Sequence, residues 1–153
     1  MIYFDTSALI KRYVAEKGSS VMRTLRSQPG PFATATIAYA EAYSGLTRRH
    51  REGFLSRTRY ASACEQLERD WPAFLHVELQ EEVLRLARDL IQRHVLRSFD
   101  AIHLASALSL QVGLSEAMTV VAADERLLQA AAAEQLDVVN VETAKTLPRS
   151  RTP

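Results

Sequence analysis

Met1-Ile2-Tyr3-Phe4-Asp5-Thr6-Ser7-Ala8-Leu9 is the stretch whose reading decides the fold. Ile2, Tyr3 and Phe4 form a short apolar run of β-branched and aromatic residues, suited to a strand buried on both faces. The run stops at Asp5, and an apolar helical pattern begins at Ala8, Leu9 and Ile10. A carboxylate between a buried strand and a helix start stands at the crevice where open α/β sheets place their ligands. Asp, Thr and Ser are also ordinary helix caps, so one such turn carries no function by itself.

The same arrangement returns near the other end. Met118 to Ala122 is a fully apolar strand, and Asp124 follows it, opening a helix that runs through about Glu134. Between the two lie further alternations of strand and helix. Ser19 and Ser20 are positioned to cap a helix that stops before Pro29, and Phe32 to Ala35 reads as a brief strand. Thr36 is positioned to cap a long helix through about Arg51, with Glu41 beside the core-facing stripe. Ser56 or Thr58 starts another helix through about Asp70. Phe74 to Leu79 alternates as a peripheral strand in which His76 is structural. Glu81 to His94 is amphipathic, with Val83, Leu84, Ala87, Leu90 and Ile91 inward and the charges on a solvated face. Ser98 is a natural cap for a helix that is small and apolar nearly all round, hence buried. Asp100 falls in its first turn, and His103 reads as a core histidine. Val138 to Val141 is the last strand. This order predicts a three-layer α/β/α domain with a central, mostly parallel sheet of four to five strands. Right-handed crossovers bring the strand ends carrying Asp5 and Asp124 to one edge.

With 153 residues, 47% apolar and 24% charged, the chain reads as one globular domain over residues 1–145 with a basic, disordered tail at 146–153. A net charge of +1 gives no bulk signal for nucleic acid. Arginine outnumbers lysine 16 to 3, which suits phosphate contacts, although a GC-rich coding sequence produces the same bias. The single cysteine, Cys64, excludes a disulfide or thiolate cluster within the chain. A strand starting at residue 2 leaves no room for a signal peptide, and the longest mostly apolar run, Ala101 to Leu114, is too short to span a bilayer. A cytoplasmic protein without membrane association is expected.

Asp5, Glu41, Asp100 and Asp124 therefore share a type of address. Two carboxylates about 5 Å apart repel by roughly 3 kcal/mol at an effective dielectric near 20. Four together need a cation to stay ionised, and Mg²⁺ or Mn²⁺ answers the preference for hard oxygen ligands. The reaction class such a cluster serves is phosphodiester hydrolysis, with Thr6 or Ser7 orienting a water or phosphate. No G-x-G-x-x-G, Walker A or G-x-S-x-G motif competes. Phosphotransfer through Asp5 is disfavoured because the position two residues on is Ser7 rather than Asp. A module that binds RNA or a partner protein without cutting is the alternative from another class. Arg12, Arg48, Arg49, Arg51 and Arg97 are candidate RNA-phosphate contacts.

Ile2 to Leu9, Ala40-Glu41-Ala42, Phe99 to Ala105 and Val120 to Leu127 together resemble the ordered motifs of PIN-domain proteins, to about Val141. Length and acid order resemble the VapC toxins of toxin–antitoxin pairs. The resemblance implies a Mg²⁺- or Mn²⁺-dependent endoribonuclease, held inactive by a cognate antitoxin that covers the acidic site, and paired as a homodimer. It implies catalytic roles for Asp5, Glu41, Asp100 and Asp124, with Asp5, Asp100 and Asp124 as metal ligands. One departure is Ala122, where the family often has a hydroxyl residue two positions before the last acid.

Overall fold

The computed structural model describes residues 1–27 and 30–144. Five strands form one sheet: β1 (Ile2–Phe4), β2 (Phe32–Ala35), β3 (Phe74–Val77), β4 (Thr119–Ala122) and β5 (Asp137–Asn140). Their spatial order is β3-β2-β1-β4-β5, and every neighbouring pair is parallel. The helices are α1 (Thr6–Leu9), which continues as a 3₁₀ turn over Ile10–Arg12, then α2 (Ser19–Arg26), α3 (Ala38–Arg51), α4 (Arg57–Asp70), α5 (Glu81–Arg93), α6 (Ser98–Leu114) and α7 (Glu125–Ala133).

Strand alternation sorts the core into two layers. Tyr3, Val120 and Ala122 pack with Val83, Ala87 and Leu90 of α5, with α6, and with Leu127 and Ala131 of α7. Phe4, Val121 and Val139 turn to the other face, against Leu9, Met22, Leu25 and Ala38. A third cluster, with Ile10, Leu46, Leu55 and Leu67, lies between α3 and α4. The three-layer architecture with a parallel sheet thus agrees with the sequence reading. The tail expected at 146–153 lies outside the described residues. Among the described residues no helix is long and apolar enough to cross a membrane.

Several local expectations change. Thr36 does not cap α3: its hydroxyl and N–H both donate to the Val77 carbonyl on the neighbouring strand, and the helix starts two residues later. Ser98 is the first residue of α6 and makes no side-chain cap. Ser19 likewise turns inward and donates to the Val14 carbonyl, while Gly18, at φ 93°, occupies the cap position of α2. On α5, Val83, Ala87 and Leu90 are buried, whereas Leu84 and Ile91 are exposed. The sheet and α6 cover only the middle of the apolar stripe.

A partly buried ionic knot ties the 3₁₀ turn to α3 and to the segment after β5. Lys11 Nζ donates to Glu16 Oε1 at 3.1 Å and to Glu142 Oε1 at 2.7 Å, and Arg49 donates to both Glu16 oxygens. Burial pushes the Glu16 carboxyl up, but hydrogen bonds from Arg49 and Lys11 outweigh it and hold the group below the usual Glu value. A carboxyl depressed on folding stabilises the fold above its unfolded pKa, and this contribution is lost as pH falls through the folded pKa. Glu16→Gln should therefore cost about 1–3 kcal/mol near neutral pH, less than for a fully buried pair. The cost should shrink as the pH drops below the ordinary Glu range. Urea titrations of both proteins at neutral and acidic pH check this, and an equal difference at both would contradict it.

Candidate active site

The sheet reverses its winding between β1 and β4: the chain passes from β1 to β2 on one side, and β4 lies on the other. The carboxyl ends of two such strands enclose the crevice of an open α/β sheet. Asp5 directly follows β1, and Asp124 follows β4 with one residue between. Helices returning antiparallel to the strands bring their N-termini to the same edge, and Glu41 and Asp100 lie in the first turns of α3 and α6. All four acids thus reach one edge from four elements.

Asp5 is 5% exposed and caps α1, its Oδ2 accepting from the Ser7 N–H at 2.9 Å and from the Ser7 hydroxyl. Ser7 Oγ in turn accepts from the Ala123 N–H at 2.8 Å, which fixes the end of β1 to the end of β4. Asp124 caps α7 through Oδ1, which accepts from the N–H groups of Arg126 and Leu127 at 2.8 and 3.1 Å. Glu41 Oε2 accepts from Thr6 Oγ1 at 2.7 Å and from His103 Nε2 at 2.8 Å. A carboxylate offers only acceptors, so both partners donate.

His103 is the residue that the sequence reading undervalued. It is 1% exposed, as a core histidine should be, yet its ring joins the site. Nδ1 meets the Tyr3 hydroxyl at 2.9 Å, and Nε2 lies 2.8 Å from Glu41, 3.1 Å from Thr6 Oγ1 and 3.6 Å from Asp5 Oδ1. The signal was its spacing: Asp100 and His103 are three apart on α6 and share a face.

The electrostatics show that the acids act on one another. Burial raises the Asp100 carboxyl above the usual Asp value, and the charges of Asp5 and Asp124 raise it further, against a weaker opposing effect of Arg97. At His103 burial works against protonation, but the charge of Asp5, then the hydrogen bond and charge of Glu41, then Asp100, raise its pKa. Glu41 is the mirror image: burial pushes it up, and the His103 and Thr6 hydrogen bonds bring it below the usual Glu value.

Asp5, Glu41 and Asp124 each commit one carboxylate oxygen to protein donors, and the second accepts no hydrogen bond among the described residues. Unsatisfied, mutually repelling oxygens of this kind fit a hard dication. As placed, no three His, Cys, Asp or Glu side chains among the described residues close around a single point.

The candidate arginines divide. Arg12 Nε donates to Asp70 at 2.7 Å beneath the Phe74 ring, and Arg49 is held in the knot with Glu16. These two are structural. Arg48, Arg51 and Arg97 are exposed and form no ion pair among the described residues.

Comparison with known proteins gives the family. The PIN domain family model matches residues 2–133. Ribonuclease VapC49 of Mycobacterium tuberculosis (strain H37Rv) is 36% identical over 109 residues, covering 71% of this chain and 76% of that protein. Ribonuclease VapC47 of Mycobacterium tuberculosis (strain CDC 1551) is 35% identical over 132 residues, covering 84% and 88%. Among solved structures, VapBC-5 from M. tuberculosis, a member of the VapBC family of toxin–antitoxin systems, superposes with a TM-score of 0.60 at 16% identity, over 90% of this chain and 96% of that one. The chain belongs to the PIN-domain family. Its relatives within that family carry the name ribonuclease VapC.

Proposed function

We propose that this chain is a metal-dependent endoribonuclease that hydrolyses RNA phosphodiester bonds, acting as the toxin of a toxin–antitoxin pair. One observation carries the reading: four acids from four elements stand at the edge where the sheet reverses its winding, and Asp100 is raised by the charges of Asp5 and Asp124. Similarity to two chains named ribonuclease VapC supports RNA as the substrate, and a VapBC neighbour supports an antitoxin partner, which in this reading covers the acidic edge.

In this reading Asp5, Asp100 and Asp124 hold Mg²⁺ or Mn²⁺. The chemistry supplied on binding is charge neutralisation at the scissile phosphate and a lowered pKa for an attacking water. Glu41 is fixed through one oxygen by Thr6 and His103, and Ser7 locks the strand ends that carry Asp5 and Asp124. The deciding assay is cleavage of total RNA. Fragments should form with Mg²⁺ or Mn²⁺, disappear with EDTA, and return when excess metal is added. Cleavage that persists in EDTA would refute the metal-dependent reading, and a folded protein that binds RNA without cutting would favour the non-cleaving alternative.

A homodimer is part of the proposal, supported by exposed apolar side chains on α5 and after it. Leu84, Ile91, Val95 and Phe99 are exposed large apolar side chains, more than a monomer commonly gathers in one region. Light scattering at micromolar concentration should report a dimer, and a monomer there would remove this part of the proposal. The chain's place in the cell is proposed to be the cytoplasm, where RNA and an antitoxin are both available.

A further inference from the structure

The tip between α3 and α4 is unlike the rest of the surface. Glu41, Ser44, Arg48 and Arg51 recur at helical spacing along one stripe of α3, so an exposed arginine track leaves the acid cluster on the helix that carries Glu41. Arg51 stands roughly 15 Å from Glu41 along the axis. Past the helix end, Arg57 and Arg59 open α4, also exposed and outside any ion pair among the described residues. Arg49, off this stripe, is the one arginine of the segment engaged elsewhere.

Phe54 sits at the centre of this positive segment and is 75% exposed. A lone exposed apolar residue needs no explanation. This one, however, is displayed by a fixed turn. Gly53 takes φ 81°, the Phe54 and Leu55 N–H groups both donate to the Arg49 carbonyl, and Leu55 fills the buried position beside it. His50 Nδ1 meets the Leu55 carbonyl at 2.8 Å, and the His50 ring stacks on Tyr60 at 4.9 Å. The chain thus buries Leu55 and leaves an aromatic ring exposed between Arg51 and Arg57 in sequence, neither of which forms an ion pair among the described residues. A ring that can stack a base beside cations that track phosphates is the composition of a single-strand nucleic-acid surface.

We infer that Phe54 is a base-stacking platform at the end of the Arg48–Arg51 track, taking an unpaired base of single-stranded RNA several nucleotides from the scissile bond. The inference rests on RNA being the substrate, and it makes unpaired RNA long enough to span α3 the preferred form. Its test is binding of a short single-stranded RNA carrying 2-aminopurine, in the presence of Mg²⁺, measured in the full chain bearing Asp5→Asn so that cleavage does not interfere.

With Phe54 present the fluorophore should be quenched on binding. Phe54→Ala should weaken binding roughly 5- to 100-fold and abolish the quench, and Phe54→Trp should restore both. Val112→Ala, which trims another exposed apolar side chain, should change neither. Arg48→Gln with Arg51→Gln should lower the salt slope by about 1.4. Equal binding by Phe54→Ala and its parent, or no RNA binding by the parent, would overturn the inference. So would a change of oligomeric state as the sole effect of Phe54→Ala. If wild type cuts RNA but Phe54→Ala binds normally, only this inference falls. If the platform behaves as stated but wild type cuts nothing, only the nuclease reading falls.

Discussion

Asp5→Asn should lower metal-dependent RNA cleavage by at least about a hundredfold while leaving the fold in place. The two effects separate because the carboxylate has two jobs on two oxygens. Oδ2 accepts from Ser7 and caps α1, a contact that the Asn side-chain carbonyl reproduces at a cost of about 1 kcal/mol or less. Oδ1 accepts no hydrogen bond among the described residues and lies 3.6 Å from His103 Nε2; in the proposed reading its negative charge draws a dication, and there Asn is no substitute. Removing that charge also relieves Asp100, whose pKa should fall toward the usual Asp value. Cleavage assays beside thermal or urea unfolding check both halves. Full cleavage by the variant would refute the proposed role, and a collapsed fold would show that Asp5 is chiefly structural.

His103→Leu should give the opposite pattern, losing stability and cleavage together. Leucine fills a comparable space in the core but leaves the Tyr3 hydroxyl and the Glu41 carboxylate without their main partner. Losing the hydrogen bond at the buried Tyr3 hydroxyl costs about 1–3 kcal/mol and the charge-assisted one to part-buried Glu41 roughly 1–2, so the loss should reach roughly 2–5 kcal/mol. Thr6 alone then holds Glu41, and its carboxyl should titrate closer to the usual Glu value. Tyr3→Phe removes one hydrogen bond from the far side of the ring and should cost only about 1–2 kcal/mol. Urea titration of both variants checks the order. A His103→Leu protein as stable as wild type would show that the buried contacts are dispensable.

Much of the fold was legible because its signals are local. The Phe32–Ala35 strand and the Asp124 cap follow directly from residue type and spacing, and the two buried strands flanking the site announce themselves by being apolar on both faces. What escaped was decided by neighbours distant in sequence. Thr36 has the chemistry of a cap, but a carbonyl on β3, 41 residues away, captures its hydroxyl. Arg12 has the chemistry of a phosphate contact, but Asp70, 58 residues on, claims it. Leu84 and Ile91 satisfy helical periodicity yet stay exposed, because periodicity shows which side is apolar and not how far the neighbouring surface extends. At the site, the sequence shows four acids of similar address. It does not show that a core histidine underlies them, since a satisfied imidazole and a supporting one look alike until their partners are placed.

The pairing of β1 with β4, Ile2 beside Thr119 and Phe4 beside Val121, has a consequence for the chain while it is being made. β1 cannot acquire this neighbour until the chain has been extended to Thr119, and Asp124 comes later still. An unfinished polypeptide therefore carries Asp5 and Glu41 without the other half of the cluster. Under the proposed reading, the nuclease centre cannot assemble before Asp124 has been added, so activity would arise only after β4 has paired with β1.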